Sequence, residues 1–560
     1  MALNSQSFSL PFHLGSAVEG ALETWRADDR LARLWGRDAA LWTGNGEGAW
    51  LGWLDAPGRA SAARYEAIGR YAREGGFPDL VLLGMGGSVL CPAVFAQVFG
   101  VRPPFPRLHV LDSVDPAQIR NLERSLDPGR TCFIVSSKSG STLESGILMS
   151  HFIERVRREV APADCGERFI AITDPGTPLE RRAREVGFGR IYAGQPDIGG
   201  RFSAFSDFGL VPMAMMGVDV GRFIEATMPM VEASGPSASV AESPGVLLGV
   251  ILGVLARAGR DKVSLVVSQS AAALGLWIEQ LLAESTGKRG RGIIPVVGEA
   301  LHSPEHYGND RVFVYLGFGP DPDREQEASI AALEDSGQPV VRIGIRDADS
   351  IGQELFRWEI ATAVVGAELG INPFDQPDVE ASKIITRELM SEYEAKGAFP
   401  VESPVFRDDA LSVFAAGRPG ARDLAGCMSA FLGSVGPGDY IAILAYAPME
   451  ESAGAALEGL REVLGGGGRT ATTLGFGPRY LHSSGQLHKG GPNTGAFLIL
   501  VSEDAEDIPV PGHAHTFGAV KTAQARADAR ALVERGRRVL RIDVGGRFDA
   551  GVRRLVEAVS

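Results

Sequence analysis

The sequence predicts an α/β protein built on parallel sheets, with a helical N-terminal segment and a further α/β segment at the C-terminal end. Three observations carry this reading. Apolar runs in "DLVLLGMGGSVL", "TCFIVSSKSGSTLES" and "RFIAITD" each end in Gly, Ser, Thr or Asp and are separated by helical patterns, as strands and helices alternate in a parallel sheet. The same texture returns in "KVSLVVSQS", "VFVYLGF" and "PVVRIGI", and again in "YIAILAYA", "AFLILVSE" and "VLRIDVG". A length of 560 residues exceeds what one hydrophobic core can serve and implies roughly two to four domains.

Residues 1–75 read as a helical segment, because "ALETWRADDRLARLW" spaces its apolar residues at helical intervals with charges between them. Residues 76–225 form the first sheet domain, and "VEASGPSASVAESPG", rich in small residues and Pro, is a connector. A second sheet domain spans residues 226–400 and includes the helix "AAALGLWIEQLLAESTG". Residues 401–560 add the helix "TAQARADARALVERG" and a turn at Gly465 to Gly468, either as a domain or as an extension of the second sheet. The most apolar run, "GVLLGVILGVLA", lies between Pro244 and Arg257. It is shorter than the ~20 residues of a membrane span and reads as a buried helix. The two α/β halves share only a loose likeness, without a short repeat.

Apolar content of 45% and charged content of 22% are those of a globular chain. The formal charge of −14 argues against a nucleic-acid partner, which calls for a basic surplus. A small anionic substrate needs only local donors. Cys91, Cys132, Cys165 and Cys427 lie far apart and show no Cys/His ligand spacing, so neither a metal nor disulfides are expected and a reducing compartment fits. "MALNSQSFSLPFHLG" lacks the pattern of a secretory signal, which gives a cytoplasmic expectation with no membrane partner.

Several stretches carry the chemistry. In "FIVSSKSGSTLES" a strand delivers Ser136, Ser137, Lys138, Ser139, Ser141 and Thr142 to the start of a helix, whose first N–H groups have no intrahelical partners and suit an anion. Helix capping alone accounts for such a run equally well. "LLGMGGSVLCP" repeats the design with Ser88, and two such loops in one domain favour a single phosphate monoester. Neither loop has the full dinucleotide or nucleoside triphosphate pattern.

Leu274, Trp277, Ile278, Leu281 and Leu282 define the buried face of one helix, and Gln280 and Glu284, one turn apart, flank it. A carboxylate at the edge of an apolar stripe can serve as a general base, though by position alone a solvated surface Glu is the commoner outcome. "GGRFSAFSDFG" places Arg201 after two glycines, where a guanidinium can meet developing negative charge. "INPFDQPDVEASK" brings Lys383 into the first turn of a helix. Each of these has a bland surface reading, and only their joint occurrence outweighs it.

Together, "GMGGSVL", "SSKSGSTLES", "GGRFSAFSDFG", "QLLAESTGK" and "GINPFDQPDVEASK" resemble the glucose-6-phosphate isomerase family, in its usual motif order over roughly residues 80 to 385. The resemblance implies two sugar-isomerase (SIS-type) doubly wound domains and aldose–ketose isomerisation through a cis-enediol. It implies Glu284 as the base between C1 and C2, and Arg201 as the group that stabilises the enediolate. Ser88, Ser137, Ser139 and Thr142, with backbone N–H groups near Lys138 and with Gln280, would hold the phosphate, and Lys383 would assist ring opening. No cofactor is implied, because the substrate carbonyl is the electron sink.

Ring opening calls for a group titrating near neutrality, such as His. Many bacterial members of the family carry it in "LHS-x-GQ" shortly after the glutamate motif, where this chain has "GEALHSPEHYGNDR" with His302 and His306 but no GQ. The full pattern stands instead in "RYLHSSGQLHKGGPNTG", an order that resembles the isomerase half of bifunctional transaldolase/phosphoglucose isomerases. His482 is therefore the expected ring-opening residue and His302 the second choice, with His488 and Lys489 at the pocket rim or in solvent. A transaldolase barrel of about 250 residues has no room ahead of the first motif, so a free-standing isomerase or the isomerase part of something longer is expected. The alternatives are a non-catalytic sugar-phosphate-binding regulator and a dual phosphoglucose/phosphomannose isomerase. Glucosamine 6-phosphate synthase is disfavoured, since no Cys follows Met1. A homodimer and a monomer both remain compatible with the rearranged C-terminal segment.

Overall fold

A computed structural model describes residues 2–320, 323–415, 421 and 423–559, organised around three sheets. In the first, strands Asp79–Gly84, Arg107–Leu111, Cys132–Ser136, Phe169–Thr173 and Arg190–Ala193 are all parallel. Asp79–Gly84 lies between Arg107–Leu111 and Cys132–Ser136. The chain leaves the first of these strands towards one edge and returns through Cys132–Ser136 to build the other. Strand order therefore reverses between two neighbours, which leaves a crevice beyond their C-terminal ends. Gly84 pairs with Ser136 at that point, and both expected phosphate loops depart from it.

The second sheet repeats the plan with parallel strands Lys262–Val267, Ile294–Val297, Arg311–Phe318 and Val340–Ile345. Its edge is closed by Ser5–Ser9, antiparallel to Val340–Ile345. Residues 1–75, expected to be helical, thus open with a strand, and helices follow from Phe12. Hydrogen bonds from the Asn4 N–H to Gln353 Oε1 (2.8 Å) and from Arg357 to the Asn4 carbonyl (2.9 Å) hold this strand on the sheet edge. The run between Pro244 and Arg257 is one buried helix, and no helix among the described residues is long and apolar enough to cross a membrane.

Residues beyond 400 form a sheet of their own instead of extending the second. Its parallel strands Tyr440–Tyr446, Ala471–Phe476, Gly495–Ser502 and Arg538–Val544 again reverse order, and Leu411–Ala415 joins antiparallel. At the expected turn, Gly466, Gly467 and Gly468 all take positive φ, which ends the helix Glu451–Gly465 without side-chain strain.

Strands of the first sheet are apolar throughout because both faces are covered. Leu80, Leu82 and Ile134 share one core with the second sheet, whereas Val81, Leu83 and Phe133 share another with the helices Leu143–Arg157 and Phe517–Glu534. A further core joins Ala283, Ile294 and Val296 to Tyr440, Leu487 and Phe497 of the third unit. Polar ties reinforce these seams. Arg311 pairs with Glu299 (2.7 Å), whose carboxylate also accepts the Thr472 N–H (2.9 Å), and buried Lys521 pairs with Asp115 (2.9 Å). Arg479 pairs with Asp112 through two hydrogen bonds of 2.6 and 2.8 Å. The four cysteines are free and buried.

Gly287, at the end of the helix Ala272–Thr286, touches the backbone of Leu487 so closely that a Cβ would overlap Leu487 Cα. Gly287→Ala is therefore expected to cost about 1–3 kcal/mol of stability. Gly454→Ala, inside a helix with nothing within 4 Å, is expected to be neutral or stabilising. Equal melting temperatures for the two variants would contradict this packing. Burial pushes the Glu279 carboxyl up from 4.5 to about 7, against the pull of Arg461 and Arg479. The folded chain holds that proton more tightly than the unfolded chain, so the contribution to stability is fully present below 4.5 and is lost as pH rises through about 7. Glu279→Gln should raise the melting temperature at pH 8 and leave it unchanged near pH 4; a rise only at low pH would contradict the sign.

Candidate active site

The helix Ala272–Thr286 buries the face formed by Leu274, Trp277, Ile278, Leu281 and Leu282, which fixes its rotation. Gln280 and Glu284 then point along one edge. The Gln280 amide donates to Glu284 Oε2 (3.1 Å) and to the backbone carbonyl of His482 (2.8 Å). Glycine is required opposite them. Gly86 has φ of +54°, and a Cβ there would lie 2.7 Å from both Gln280 Nε2 and the His482 carbonyl oxygen. Gly87 abuts the Gly200 carbonyl with no room for a side chain.

Arg201 is buried and its guanidinium is fixed from several sides. It donates to Ser285 Oγ (2.7 Å), Gln376 Oε1 (3.0 Å) and the carbonyls of Pro373 (2.7 Å) and Asp375 (2.8 Å). Its Nη1 lies 3.3 Å from Glu284 Oε1, whose side chain keeps 15% of its surface exposed. Phe202, the next residue, packs on Trp53 and Phe374 and anchors the turn.

The "LHSSGQ" segment reaches this place from the third unit. Gln486, fully buried, donates to the Gly287 carbonyl (2.9 Å) and to Asp378 Oδ2 (2.7 Å), and accepts from the Asp378 N–H (2.9 Å). It therefore joins the end of the glutamate helix to the loop ahead of Lys383. The His482 ring meets Glu144, with Nε2 3.0 Å from Glu144 Oε1. Gln524 donates to the same carboxylate oxygen at 2.6 Å. Burial works to raise the Glu144 carboxyl, but the His482 charge and these hydrogen bonds hold it below its ordinary value.

A cavity of about 340 Å³ opens against this pair. Its lining includes Ser139, Ser141, Thr142 and Glu144 from the phosphate stretch, Lys383 and Arg387 from the helix Glu380–Lys396, and His482 and Lys489. Ser137 Oγ and Thr142 Oγ1 are 2.9 Å apart, so these hydroxyls bond each other, and Thr142 precedes the helix Leu143–Arg157 without capping it. Ser88 is buried in the turn after the neighbouring strand, and its carbonyl accepts from Ser136 Oγ (3.3 Å).

The Lys138 and Lys383 ammonium groups each pair with a nearby carboxylate. The Lys138 ammonium turns away from the loop to Asp174 Oδ2 (2.6 Å) and the Gln195 carbonyl (2.8 Å), since a carboxylate and a carbonyl already satisfy it there. Lys383 lines the cavity but is about half exposed and pairs with Glu380 at 2.6 Å. His302 lies in a separate cleft with Glu462 at 3.5 Å. His488 is neither at the rim nor in solvent: it is buried beside Tyr440, Tyr480 and Phe497, and burial holds its imidazole well below the usual range. Lys489 lines the cavity from a buried pair with Asp528 (2.5 Å).

Glu144, Gln486, Gln524 and Lys288 escaped the sequence reading. Glu144 lies inside the quoted "SSKSGSTLES", where a second-position Glu looks like ordinary helix-start chemistry. Lys288 is bound to the Asn372 carbonyl (2.6 Å) and Asp375 (2.9 Å), and burial, helped by Arg201, draws it down to about 7.

The model of the phosphoglucose isomerase family matches residues 70–292. The glucose-6-phosphate isomerase of Rubrobacter xylanophilus is 31% identical over 371 residues, which cover 57% of this chain and 84% of that relative. Among solved structures, a hypothetical protein from Thermus thermophilus superposes with a TM-score of 0.58 at 26% identity, covering 68% of this chain and 99% of that one. A glucose-6-phosphate isomerase from Chlamydia trachomatis gives 0.51 at 22% identity, covering 66% and 79%, and shares the fold. With a relative of that identity matched over most of its length, this chain belongs to the glucose-6-phosphate isomerase family.

Proposed function

We propose that Glu284, Arg201, His482 and the hydroxyl loops carry out the family's reaction, the reversible isomerisation of glucose 6-phosphate and fructose 6-phosphate through a cis-enediol. The chain is an aldose–ketose isomerase acting on a sugar phosphate. Glu284 takes the proton from C2 of the opened aldose and returns it to C1. Arg201, held by backbone carbonyls that cannot follow the substrate, meets the negative charge that develops on the enediolate. His482 moves protons at the ring and anomeric oxygens, and Glu144, itself held by Gln524, orients the imidazole. Ser88, Ser137, Ser139 and Thr142, with backbone N–H groups at the strand ends, take the phosphate, and Gln280 steadies Glu284 beside them. Lys383 assists ring opening from the cavity wall.

The observation that carries this reading is the pair of hydrogen bonds from Gln280, which ties the base Glu284 to the segment bearing His482 within one chain. A regulator that only binds sugar phosphate has no use for a buried guanidinium set 3.3 Å from a partly exposed carboxylate. We place the enzyme in the cytoplasm, where four free buried thiols stay reduced. A monomer suffices for the site.

Fructose 6-phosphate formation from glucose 6-phosphate should fall by about 10²–10⁴ in Glu284→Gln. His482→Ala should slow turnover of the cyclic sugar while sparing phosphate binding. If His302→Ala did this and His482→Ala did not, the assignment of His482 would be wrong. A second comparison separates the phosphate ligands from their scaffold. Ser139→Ala should raise KM. Lys138→Met should lower stability by about 1–3 kcal/mol through the loss of its two acceptors and leave KM nearly unchanged. A large rise in KM for Lys138→Met at unchanged stability would restore its ammonium to the phosphate site.

A further inference from the structure

Away from the catalytic cavity, three side chains from two distant parts of the chain converge. Glu394 lies near the end of the helix Glu380–Lys396, and His513 and His515 lie in the loop that enters the helix Phe517–Glu534. One ligand-type atom from each lies within 4.8 Å of the other two. His515 Nδ1 is 2.7 Å from Glu394 Oε1, across 121 positions of sequence, and the rings of His513 and His515 have centroids 4.7 Å apart. His515 is buried while His513 and Glu394 are exposed, which gives one anchored ligand and two that solvent can reach. The His515 Nε2 atom is also buried and has no hydrogen-bond partner among the described residues, so hydrogen bonding fixes only one side of this ring.

The loop is held in shape by its own backbone. The Val510 N–H donates to the His515 carbonyl and the His513 N–H to the Val510 carbonyl, each at 3.1 Å, and Gly512 turns the chain with φ of +80°. Packing of Ile385 against Ala527 and Ala531 sets the two helices side by side. Two imidazoles and one carboxylate are a donor set for Zn²⁺ and its transition-metal neighbours. Ca²⁺ and Mg²⁺ call for more oxygen ligands than these residues offer. Tetrahedral bonds of about 2.0–2.2 Å set ligand atoms roughly 3.3–3.6 Å apart, so the Glu394 carboxylate has to draw back from His515 Nδ1, now at 2.7 Å, to admit the ion, a change that rotation of the exposed Glu394 and His513 side chains supplies.

We propose that Glu394, His513 and His515 form a site for a divalent transition-metal ion, with Zn²⁺ the best fit, that clips the helix Glu380–Lys396 to the helix Phe517–Glu534. The first helix carries Lys383 and Arg387 and the second Gln524, all lining the catalytic cavity. Occupancy would hold two walls of that cavity together without contributing a group to the chemistry, and the site does not depend on the roles assigned above.

The test is calorimetric titration of Zn²⁺ into the full chain, stripped with a chelator and dialysed, together with the melting temperature and hydrogen exchange of residues 380–396. One ion per chain, a higher melting temperature and slower exchange in that helix are expected. His513→Asn and Glu394→Gln should each weaken binding at least about tenfold and leave the isomerase rate of the metal-free chain unchanged. Absence of Zn²⁺ binding would overturn the proposal. So would binding of equal strength in both variants, which would place the ion elsewhere, for example near His302 and His306.

Discussion

A single carboxamide sets the geometry on which the rest depends. Gln280 has two N–H donors, and they go to the Glu284 carboxylate and the His482 backbone carbonyl. Nothing larger than glycine fits against this arrangement at position 86. Glu284, the turn after the first strand of the first sheet and the "LHSSGQ" segment of the third unit are thereby locked into one register. Gln486 repeats the device one turn away, with both ends of its amide bonded and no exposure to solvent. An amide left without partners in such a place costs roughly 1–3 kcal/mol, so these contacts select one docking of the third unit over its near neighbours.

Charge is handled by the same logic of fixed partners. Arg201 spends most of its donors on carbonyls and side-chain oxygens of the 373–376 loop and Ser285, and presents the remainder of its field to Glu284. Glu144 is held between His482 and Gln524. Such preorganisation means that the groups need not reorient when charge develops, which is where enzymes gain much of their rate. Strand reversal in the first sheet places the hydroxyl loops at the mouth of this network without any change to the core beneath.

Much of this was legible in the sequence because it rests on local rules. Apolar runs ending in Gly and Ser located the parallel strands, and helical spacing located the buried face that aims Gln280 and Glu284. What escaped depends on long-range packing. Ser5–Ser9 is too short and polar to read as a strand until a sheet edge receives it. Lys138 sits in a loop that looks made for phosphate, yet Asp174, brought beside it by the next strand, captures its ammonium. Glu144 acquires its partner only when residue 482 folds back over residue 144. His488, two positions after Gln486, is turned inward by the short helix Gly485–Gly490, which alternation of polar residues does not reveal.

Gln280 joins Glu284 to the His482 segment within one chain, so the proposed site is assembled in cis. The direct measurement is the isomerase activity of an equimolar mixture of Glu284→Gln and His482→Ala chains, each inactive alone, after joint unfolding and refolding. Assembly in cis predicts that the mixture stays as inactive as its parts at every protein concentration. Recovery of a substantial fraction of wild-type activity, rising with concentration, would mean that His482 reaches a partner's Glu284, as in an interface site shared between subunits, and would contradict the account.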